Sequence, residues 1–303
     1  MPRVSILLTC YQHIKYLPAA VESVRNQTYQ DFEIIALDDG STDGSREWLS
    51  AQTDLQIVFN EKNLGTYGTL NKGLELATGE FVAVLNDDDV WMPEKLERQV
   101  ALLDSHPEVG LVHTEGEFID GEGVVFEGKP LGFSFPRFET GDILLDLVYE
   151  NKIIASAAVF RKGLIEKIGP YNENYFGSGD WELWFRIAEQ AKVGCVNQNL
   201  TQYRVHGANA SHKLEKIWKD DQMLREWMLP RLEDLTSRFP DERVQAAKAH
   251  CWAALGTVRM LNGDPRSSRE AYRASMHLMP GRIKNYLRFA ATYLGHNTFR
   301  KLL

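Results

Sequence analysis

Up to about residue 115, short β-rich runs alternate with segments of helical periodicity, and this alternation constrains the fold more than any other feature of the sequence. Strands separated by helices at this spacing predict a parallel sheet whose ligands bind at the carboxyl ends of the strands. The predicted strands are Val4–Thr9, Phe32–Leu37, Leu55–Phe59, Phe81–Leu85 and Gly110–Thr114; the predicted helices are Leu17–Asn26, Ser45–Ala51, Gly68–Ala77 and Pro93–Ser105.

The pattern weakens after this stretch. A segment rich in Phe, Pro and Gly at Glu127–Thr140 predicts a loop or lid, and apolar runs return at Ile153–Phe160 and Val193–Asn197. Beyond Ser211 helix formers dominate and β-branched runs vanish. We therefore predict an α/β domain at residues 1–212, divided near 115 into two halves, and a helical domain at 213–303.

Within the helical part, Ala246–Leu261 and Ser267–Leu278 predict two amphipathic helices joined by a Gly-Asp turn. The stretch from Arg282 to Leu303 mixes basic and aromatic residues. It could pack its apolar side on its own domain, lie on a membrane surface or dock a protein partner.

Composition narrows the function. The chain has 303 residues, 44% hydrophobic and 25% charged, which is enough for one large core or two moderate ones. A net charge of −8 gives no general attraction to nucleic acid, so no nucleic-acid partner is expected. The three cysteines form no C-x-x-C pair, and no apolar run reaches about 18 residues. We expect a cytoplasmic protein. The alternative is a cytoplasmic protein that contacts the inner face of a membrane peripherally.

Two acidic clusters follow predicted strands directly. Asp38 and Asp39 open the loop after Phe32–Leu37, where a carboxylate can bind a base or ribose or belong to a capping turn before the next helix. Asn86-Asp87-Asp88-Asp89 follows Phe81–Leu85. Three adjacent carboxylates favour a compensating Mg²⁺ or Mn²⁺ ion, although they could also form a solvated turn before a helix.

Two further segments carry candidate chemistry. Asp180 lies in a Gly-rich stretch beside Trp181 and Trp184, whose flat rings can stack on sugars; the carboxylate can take a proton, cap a helix or do both. In Tyr203–Ser211, Arg204 and His206 can bind a diphosphate, and His206 can also ligate a metal, although a lone histidine is more often structural.

In their order along the chain, these motifs resemble a family 2 glycosyltransferase of the GT-A fold over about residues 3–211. The motifs that carry the resemblance are Val4-Ser5-Ile6, Thr9-Cys10-Tyr11, Ser23–Thr28, Phe32-Glu33-Ile34-Ile35, Asp38–Gly44, Asn63-Leu64-Gly65, Asn71-Lys72-Gly73, Ala77-Thr78-Gly79-Glu80, Asn86–Asp89, Gly179-Asp180-Trp181 and Tyr203–Gly207. It implies an α/β fold with a mostly parallel sheet, here followed by a C-terminal all-helical region.

The resemblance also implies roles for single residues. Asp180 would be the general base of an inverting sugar transfer from a UDP- or dTDP-sugar, and Trp181 and Trp184 would contact the acceptor. Asp88 and His206 would hold Mn²⁺ or Mg²⁺. The donor would be bound by Thr9, Tyr11, Asp38, Asp39, Asn71, Lys72 and Asp87. The acceptor would be a glycan, a lipid-linked molecule or a protein, in the synthesis of a surface polysaccharide or glycoconjugate.

Three positions depart from the family pattern. Gln12 stands where the family usually has Asn, Asn86 where an Asp is common, and Gly179 where an acidic residue often precedes the base. Two other functions compete with sugar transfer. One is a non-catalytic protein that binds a nucleotide sugar and acts through its helical region. The other is a nucleotidyltransferase, for which the loop after the first strand lacks the expected Gly-rich phosphate-binding sequence.

Overall fold

The computed structural model describes residues 1–128, 130, 139–151, 153–207 and 209–301. Its internal contacts group into two compact units. The first comprises Met1–Ile143 and Lys152–Asn209, and the second comprises Leu144–Asn151 and Ala210–Leu303.

The first unit is built on one mixed sheet. In the described residues its strand order is β3-β2-β1-β4-β8-β6-β9-β5, and β7 pairs with β6 at the side. The strands are β1 Val4–Cys10, β2 Phe32–Asp38, β3 Gln56–Phe59, β4 Phe81–Asn86, β5 Val90–Trp91, β6 Val109–Ile119, β7 Val125–Phe126, β8 Val159–Arg161 and β9 Lys192–Arg204.

Helices connect these strands and cover the sheet. In the first unit they are α1 Leu17–Arg25, α2 Ser45–Ser50, α3 Gly65–Leu76, α4 Lys95–Ser105, α6 Lys162–Ile168 and α7 Gly179–Gln190. The second unit contains α5 Asp146–Tyr149, α8 Leu214–Arg231, α9 Asp241–Leu261, α10 Pro265–Leu278, α11 Ile283–Ala291 and α12 His296–Lys301.

The prediction of a mostly parallel α/β sheet with a helical C-terminal region is confirmed. Strands β1 to β4 pair in parallel, and β9 runs parallel to β6. The sequence did not predict the short strands β5 and β8, which run antiparallel to their neighbours. Most of the predicted lid at Glu127–Thr140 lies outside the described residues.

Burial on both faces explains why the first strands are continuous apolar runs. In β1, Ile6 and Leu8 are fully buried in a cluster that also contains Val21 and Val24 of α1. Because both faces of these parallel strands are covered, neither face is exposed to solvent, and polar residues are not favoured at alternate positions. This rigid half of the sheet fixes the ends of β1, β2 and β4, from which the loops of the candidate site emerge.

The second unit has its own small core. Tyr272 of α10 is fully buried in a cluster with Met260 of α9 and Phe299 of α12, and its hydroxyl lies 2.8 Å from the Thr257 Oγ1. The ring of Tyr272 packs on Gly256, where a Cβ atom would lie only 3.0 Å from it. None of the described helices is both long and apolar enough to cross a membrane.

Candidate functional site

The chain reverses its direction of winding around β1. It passes from β1 outward to β2 and β3, then returns to pair β4 with the other edge of β1. Parallel α/β sheets bind ligands at such a switch point, in the crevice beyond the carboxyl ends of the two central strands. The loop after β1 begins at Tyr11, and the acidic turn after β4 begins at Asp87.

The first carboxylate of this turn binds the β1 loop. Asp87 accepts a hydrogen bond from the Tyr11 backbone N–H at 2.8 Å, and its other oxygen lies 2.8 Å from His13 Nδ1. Only 4% of Asp87 is exposed. Asp87 therefore orients His13 and holds the two loops at the switch point together.

The second carboxylate contacts the segment that follows β9. Asp88 Oδ2 lies 3.0 Å from His206 Nε2 and 3.3 Å from the Asn209 side-chain nitrogen. Asn209 also accepts a hydrogen bond from the His206 backbone N–H at 2.6 Å, which fixes the turn that carries the imidazole.

The third carboxylate is directed into the protein. Asp89 accepts hydrogen bonds from the Ser156 hydroxyl at 2.5 Å and from the Arg204 backbone N–H at 3.0 Å. The Arg204 guanidinium donates to the backbone carbonyls of Asp88 and Asp120, so it holds the acidic turn in place rather than facing a diphosphate. The three adjacent acids thus reduce their repulsion by pointing in different directions.

His13, Asp88 and His206 form a group that fits a divalent metal ion. One ligand atom from each residue lies within 4.8 Å of the others. The His13 and His206 rings meet edge to face, with centroids 5.0 Å apart. Two imidazoles and one carboxylate suit a transition-series ion such as Mn²⁺ better than Mg²⁺, which prefers oxygen ligands.

Burial and charge shift the pKa values of the groups around this cluster. Burial raises the pKa of Asp87; the hydrogen bond to His13 opposes that rise, and the nearby Asp88 charge adds to it. Burial lowers the pKa of His13, but the hydrogen bond to Asp87 and the surrounding carboxylates outweigh it, so the net pKa is raised. Burial and the Asp88 charge raise the pKa of Asp89 well above its ordinary value. A cation bound at Asp88 would offset the part of these shifts that comes from the Asp88 charge.

Asp38 and Asp39 support loops beside the switch point. Asp38 is fully buried, accepts from the Gly40 and Ser41 backbone N–H groups at 3.2 Å, and lies 3.4 Å from Arg46 Nε. Asp39 accepts from the backbone N–H groups of Leu64 at 2.7 Å and Gly65 at 3.0 Å. In this conformation both carboxylates are occupied by loop contacts.

Asn71 and Lys72 of α3 contact different loops. Asn71 exchanges hydrogen bonds of 2.9 Å with the backbone of Tyr171 and donates to the Glu173 carboxylate. Lys72 donates to the Asn60 side-chain oxygen at 2.8 Å. Asn60 in turn donates to Asp39 at 3.0 Å, so Lys72 belongs to the Asp39 loop network.

Thr9 and Tyr11 stand at the end of β1. The Thr9 hydroxyl donates to the Asn86 side-chain oxygen at 3.2 Å, across to the end of β4. The Tyr11 side chain is 46% exposed, so its ring is available to a ligand.

Asp180 is the second residue of α7, and Ser178 rather than Asp180 occupies the N-cap position. Its carboxylate accepts from the Trp181 backbone N–H at 2.6 Å. Tyr67 and Tyr171 stack nearby with centroids 5.6 Å apart. Burial raises the pKa of both phenols, and the Asp180 charge raises them further.

The two tryptophans of α7 differ. Trp184 is fully buried and packs against the Phe160 and Tyr171 rings, with centroids 5.8 and 6.5 Å away. The structure therefore places Trp184 in the core, where its ring is covered by these aromatic neighbours and is not exposed to an acceptor. Trp181 is partly exposed.

Sequence reasoning did not select His13, Asn60 or Asn209 as site residues. His13 could have been found, since it lies three residues beyond β1 in a loop that the fold places opposite the acidic turn. No local pattern identifies Asn209, because its partner Asp88 is 121 residues away in the sequence.

Comparison with known proteins gives a consistent result. The family model described as Glycosyl transferase family 2 matches residues 5–169. An uncharacterized glycosyltransferase of Nostoc sp. is 32% identical over 68% of this chain and 66% of its own length. One from Methanocaldococcus jannaschii is 30% identical over 72% of this chain and 75% of its own.

Solved structures support the same fold. Residues 1–349 of S. aureus TarS in complex with UDP-GlcNAc superpose with a TM-score of 0.69, at 16% identity, over 99% of this chain and 92% of that one. The mannosyltransferase PcManGT from Pyrobaculum calidifontis, in complex with GDP-Man and Mn²⁺, gives 0.61 at 18% identity, over 95% and 79%. At this identity the likeness concerns the fold.

Proposed function

This chain belongs to glycosyl transferase family 2, and we propose that it moves a sugar from a nucleoside diphosphate donor to an acceptor hydroxyl with inversion at the anomeric carbon. The observation that carries this proposal is the approach of His13, Asp88 and His206 at the switch point, within 4.8 Å of one another. A divalent ion held there would lie where this fold class binds phosphates.

The donor is a UDP- or dTDP-sugar in this proposal. The UDP-GlcNAc complex of TarS and the GDP-Man complex of PcManGT support a nucleoside diphosphate sugar as the class of donor. The exposed ring of Tyr11 and the hydroxyl of Thr9 would contact the nucleoside. Asp38, Asp39 and Lys72 would act by holding the surrounding loops, because their side chains bind those loops.

The metal ion in this proposal is Mn²⁺, held by Asp88, His13 and His206. When bound, it would stabilise the negative charge that develops on the departing nucleoside diphosphate. Asp87 would orient His13 through their 2.8 Å contact, and Asn209 would orient His206 through its backbone. Such supporting contacts typically raise metal affinity by orienting the ligands.

Asp180 would act as the general base. Its carboxylate would take the proton of the acceptor hydroxyl while that oxygen forms a bond to the anomeric carbon. The bond from the anomeric carbon to the phosphate oxygen breaks, and the nucleoside diphosphate leaves with the electron pair. The position of Asp180 in the first turn of α7 supports its charged form, because helix N-termini favour negative charge.

The acceptor in this proposal is a glycan, lipid-linked molecule or protein, used in the synthesis of a surface polysaccharide or glycoconjugate. Trp181 is the side chain that we assign to acceptor contact, since it is partly exposed and adjoins Asp180. Loops near such a site usually set acceptor choice on a fixed scaffold.

A donor panel tests the proposal. The purified chain is incubated with nucleotide sugars and candidate acceptors in Mn²⁺, Mg²⁺ or a chelator, and nucleoside diphosphate release is measured. We expect release from one donor, greatest in Mn²⁺ and abolished by chelation. Asp88→Asn should lose metal binding and release, whereas Asp180→Asn should lose release and still bind donor.

Asp234→Asn, at an exposed position of the second unit, is the matched control and should keep full activity. Donor binding without release under any condition would contradict catalysis and favour a nucleotide-sugar-binding protein that acts through its helical region.

A further inference from the structure

The C-terminal part of the sequence is basic although the chain as a whole is acidic. No Asp or Glu follows Glu270, whereas the chain overall carries a net charge of −8. The basic residues of this stretch are Arg273, Arg282, Lys284, Arg288, Arg300 and Lys301. Charge asymmetry of this kind indicates an anionic partner for the basic segment.

Helix α11 turns an apolar face to solvent. The exposed fractions are 73% for Ile283, 44% for Tyr286 and 67% for Leu287, and the turn after the helix adds Tyr293 at 63% and Leu294 at 60%. Spacings of three and four residues place the three helical side chains on one face, and Tyr293 and Leu294 follow in the turn that ends the helix. We call these five residues the α11 surface.

The opposite face of α11 packs against the second unit. Asn285 is buried and donates to the Ser275 hydroxyl at 2.8 Å, while Ala291 is buried and Phe289 packs beside it. The helix is therefore held by Asn285, Phe289 and Ala291, while Ile283, Tyr286 and Leu287 remain exposed, which is more apolar surface than the solvent side of a surface helix usually carries. Exposed apolar surface of this extent indicates a contact with another body.

A basic cavity of about 430 Å³ adjoins this helix, lined by His250, Arg282, Lys284, Asn285 and Arg288 among others. Burial lowers the pKa of His250 to about 4, and the charges of Arg225, Arg282 and Arg288 contribute to that lowering. Arg282, Lys284 and Arg288 give this cavity a positive potential, to which an anionic group would be attracted.

We propose that the α11 surface docks on a membrane rich in anionic lipids, with Arg282, Lys284 and Arg288 at the headgroups. Ile283, Leu287 and Leu294 would enter the boundary between headgroups and acyl chains, and Tyr286 and Tyr293 would lie at the interface, where tyrosine is favoured. A helix of nine residues can lie in the membrane plane in this way.

Charge complementarity selects a bilayer over a second copy of this chain. Two α11 surfaces placed face to face would bring Arg282, Lys284 and Arg288 of each copy together, which like charges disfavour. An anionic lipid surface offers both an apolar layer and a negative potential, and each nearby Lys or Arg strengthens binding to it.

Vesicle binding by the full chain tests this proposal. The protein is mixed with vesicles of phosphatidylcholine alone or with equal parts of phosphatidylglycerol, and the bound fraction is measured by flotation at two salt concentrations. We expect binding at least about tenfold tighter to the anionic vesicles, weakened by salt. Ile283→Glu with Leu287→Glu should abolish binding, and Arg282→Gln with Arg288→Gln should remove the preference for anionic lipid.

Two controls match these changes in the same unit. Leu214→Glu alters another exposed leucine, and Arg238→Gln with Arg243→Gln removes two other exposed charges; neither should reduce binding. Equal loss in the controls, or no binding by the unaltered chain, would overturn the proposal. Sedimentation velocity without lipid tests the alternative occupant. If the unaltered chain is a dimer and Leu287→Glu makes it a monomer, the α11 surface binds a second copy of the chain and the membrane proposal is wrong.

Discussion

Gln12 adopts a left-handed backbone conformation, with φ 61°, which is uncommon for any residue other than glycine and is tolerated best by asparagine and aspartate. The conformation lets its backbone N–H donate to the Ser41 hydroxyl at 3.1 Å, and its side chain donates to Thr42 Oγ1 at 3.0 Å. These contacts join the loops after β1 and β2. The family resemblance implies asparagine at this position, and asparagine would adopt this backbone conformation with less strain.

Gln12→Asn should therefore stabilise the chain modestly. Relief of the left-handed strain is worth about 1 kcal/mol, and the loss of the exposed side-chain hydrogen bonds with Thr42, at 3.0 and 3.4 Å, costs about 0.5 kcal/mol. Urea unfolding should show a net gain of about 0.5 kcal/mol. Gln12→Val is the contrasting variant, because a β-branched residue in this conformation should destabilise the chain; a gain in both variants would contradict the explanation.

His13 should contribute directly to metal affinity. In the His13→Gln variant, we expect Mn²⁺ affinity to fall by at least about tenfold, since one of three ligands is lost. Isothermal titration calorimetry measures the Mn²⁺ affinity. As a second readout, Mn²⁺ should raise the unfolding temperature of the variant less than that of the wild type. His106→Gln changes an exposed histidine of the same unit and should leave affinity unchanged. Wild-type affinity in His13→Gln would restrict the site to Asp88 and His206.

At the scale of elements, burial decides what the sequence could predict. Strands β1, β2 and β4 lie in the interior of the sheet, so their apolar runs were located to within about a residue. Strands β5 and β8 have two and three residues, too few for any periodicity to show. Helix α8 contains Pro230 in its last turn and ends one residue later, at Arg231.

The candidate site was likewise predictable only in part. The positions of the acidic turns depend only on the strand ends, and these were predictable. The partners of each carboxylate were not, because His206 lies 118 residues from Asp88 and only the sheet order brings them together. Likewise the sequence of α7 shows two tryptophans, but packing alone determines that Trp184 faces the core.

The start of α7 has no room for a side chain before Asp180. A Cβ atom on Gly179 would lie 2.8 Å from the Tyr67 ring, so the acidic residue that the family resemblance implies at this position would not fit beside this ring. Gly179→Ala should destabilise the chain by about 1–3 kcal/mol and lower kcat, because the helix start that carries Asp180 must move.

Gly163→Ala is the matched control for this variant. Gly163 lies in α6, and among the described residues nothing beyond its chain neighbours and the backbone of its own helix comes within 4 Å of the place that an added Cβ would take. The change should therefore stabilise the chain by about 0.5–1 kcal/mol. Tyr67→Leu should recover part of the stability lost in Gly179→Ala, as a double-mutant cycle would show. Additive effects of the two changes would mean that the ring is not what excludes a side chain.

For the molecule as a whole, a buried lysine beneath the acidic turn opposes folding. Lys95 is fully buried; it donates to the Gln99 side chain at 2.8 Å and lies 3.9 Å from the centroid of the Trp91 ring. The Trp91 indole N–H donates to the Ser156 carbonyl, and the Ser156 hydroxyl donates to Asp89. Burial lowers the pKa of Lys95 well below its ordinary value.

The lowered pKa of Lys95 makes the stability of the chain depend on pH. Between its folded pKa and about 10.4, the unfolded chain holds a proton on this amine that the folded chain lacks, so the free energy of unfolding rises with pH. Lys95→Met removes that proton difference. We expect the variant to be more stable than the wild type by about 1 kcal/mol at pH 7, after allowing for the Gln99 oxygen left without its donor.

This advantage should shrink as the pH approaches 10, since the wild-type amine then loses its proton in the unfolded chain as well. Urea unfolding at intervals between pH 7 and 10 measures the difference, with Lys167→Met, at an exposed position in α6, as the control that should show no such trend. A constant difference across this range would mean that Lys95 remains protonated in the fold, with the Trp91 ring and Gln99 compensating its charge. The free energy of unfolding of a whole domain is only about 5–15 kcal/mol, so the contribution of a single buried amine is large enough to measure.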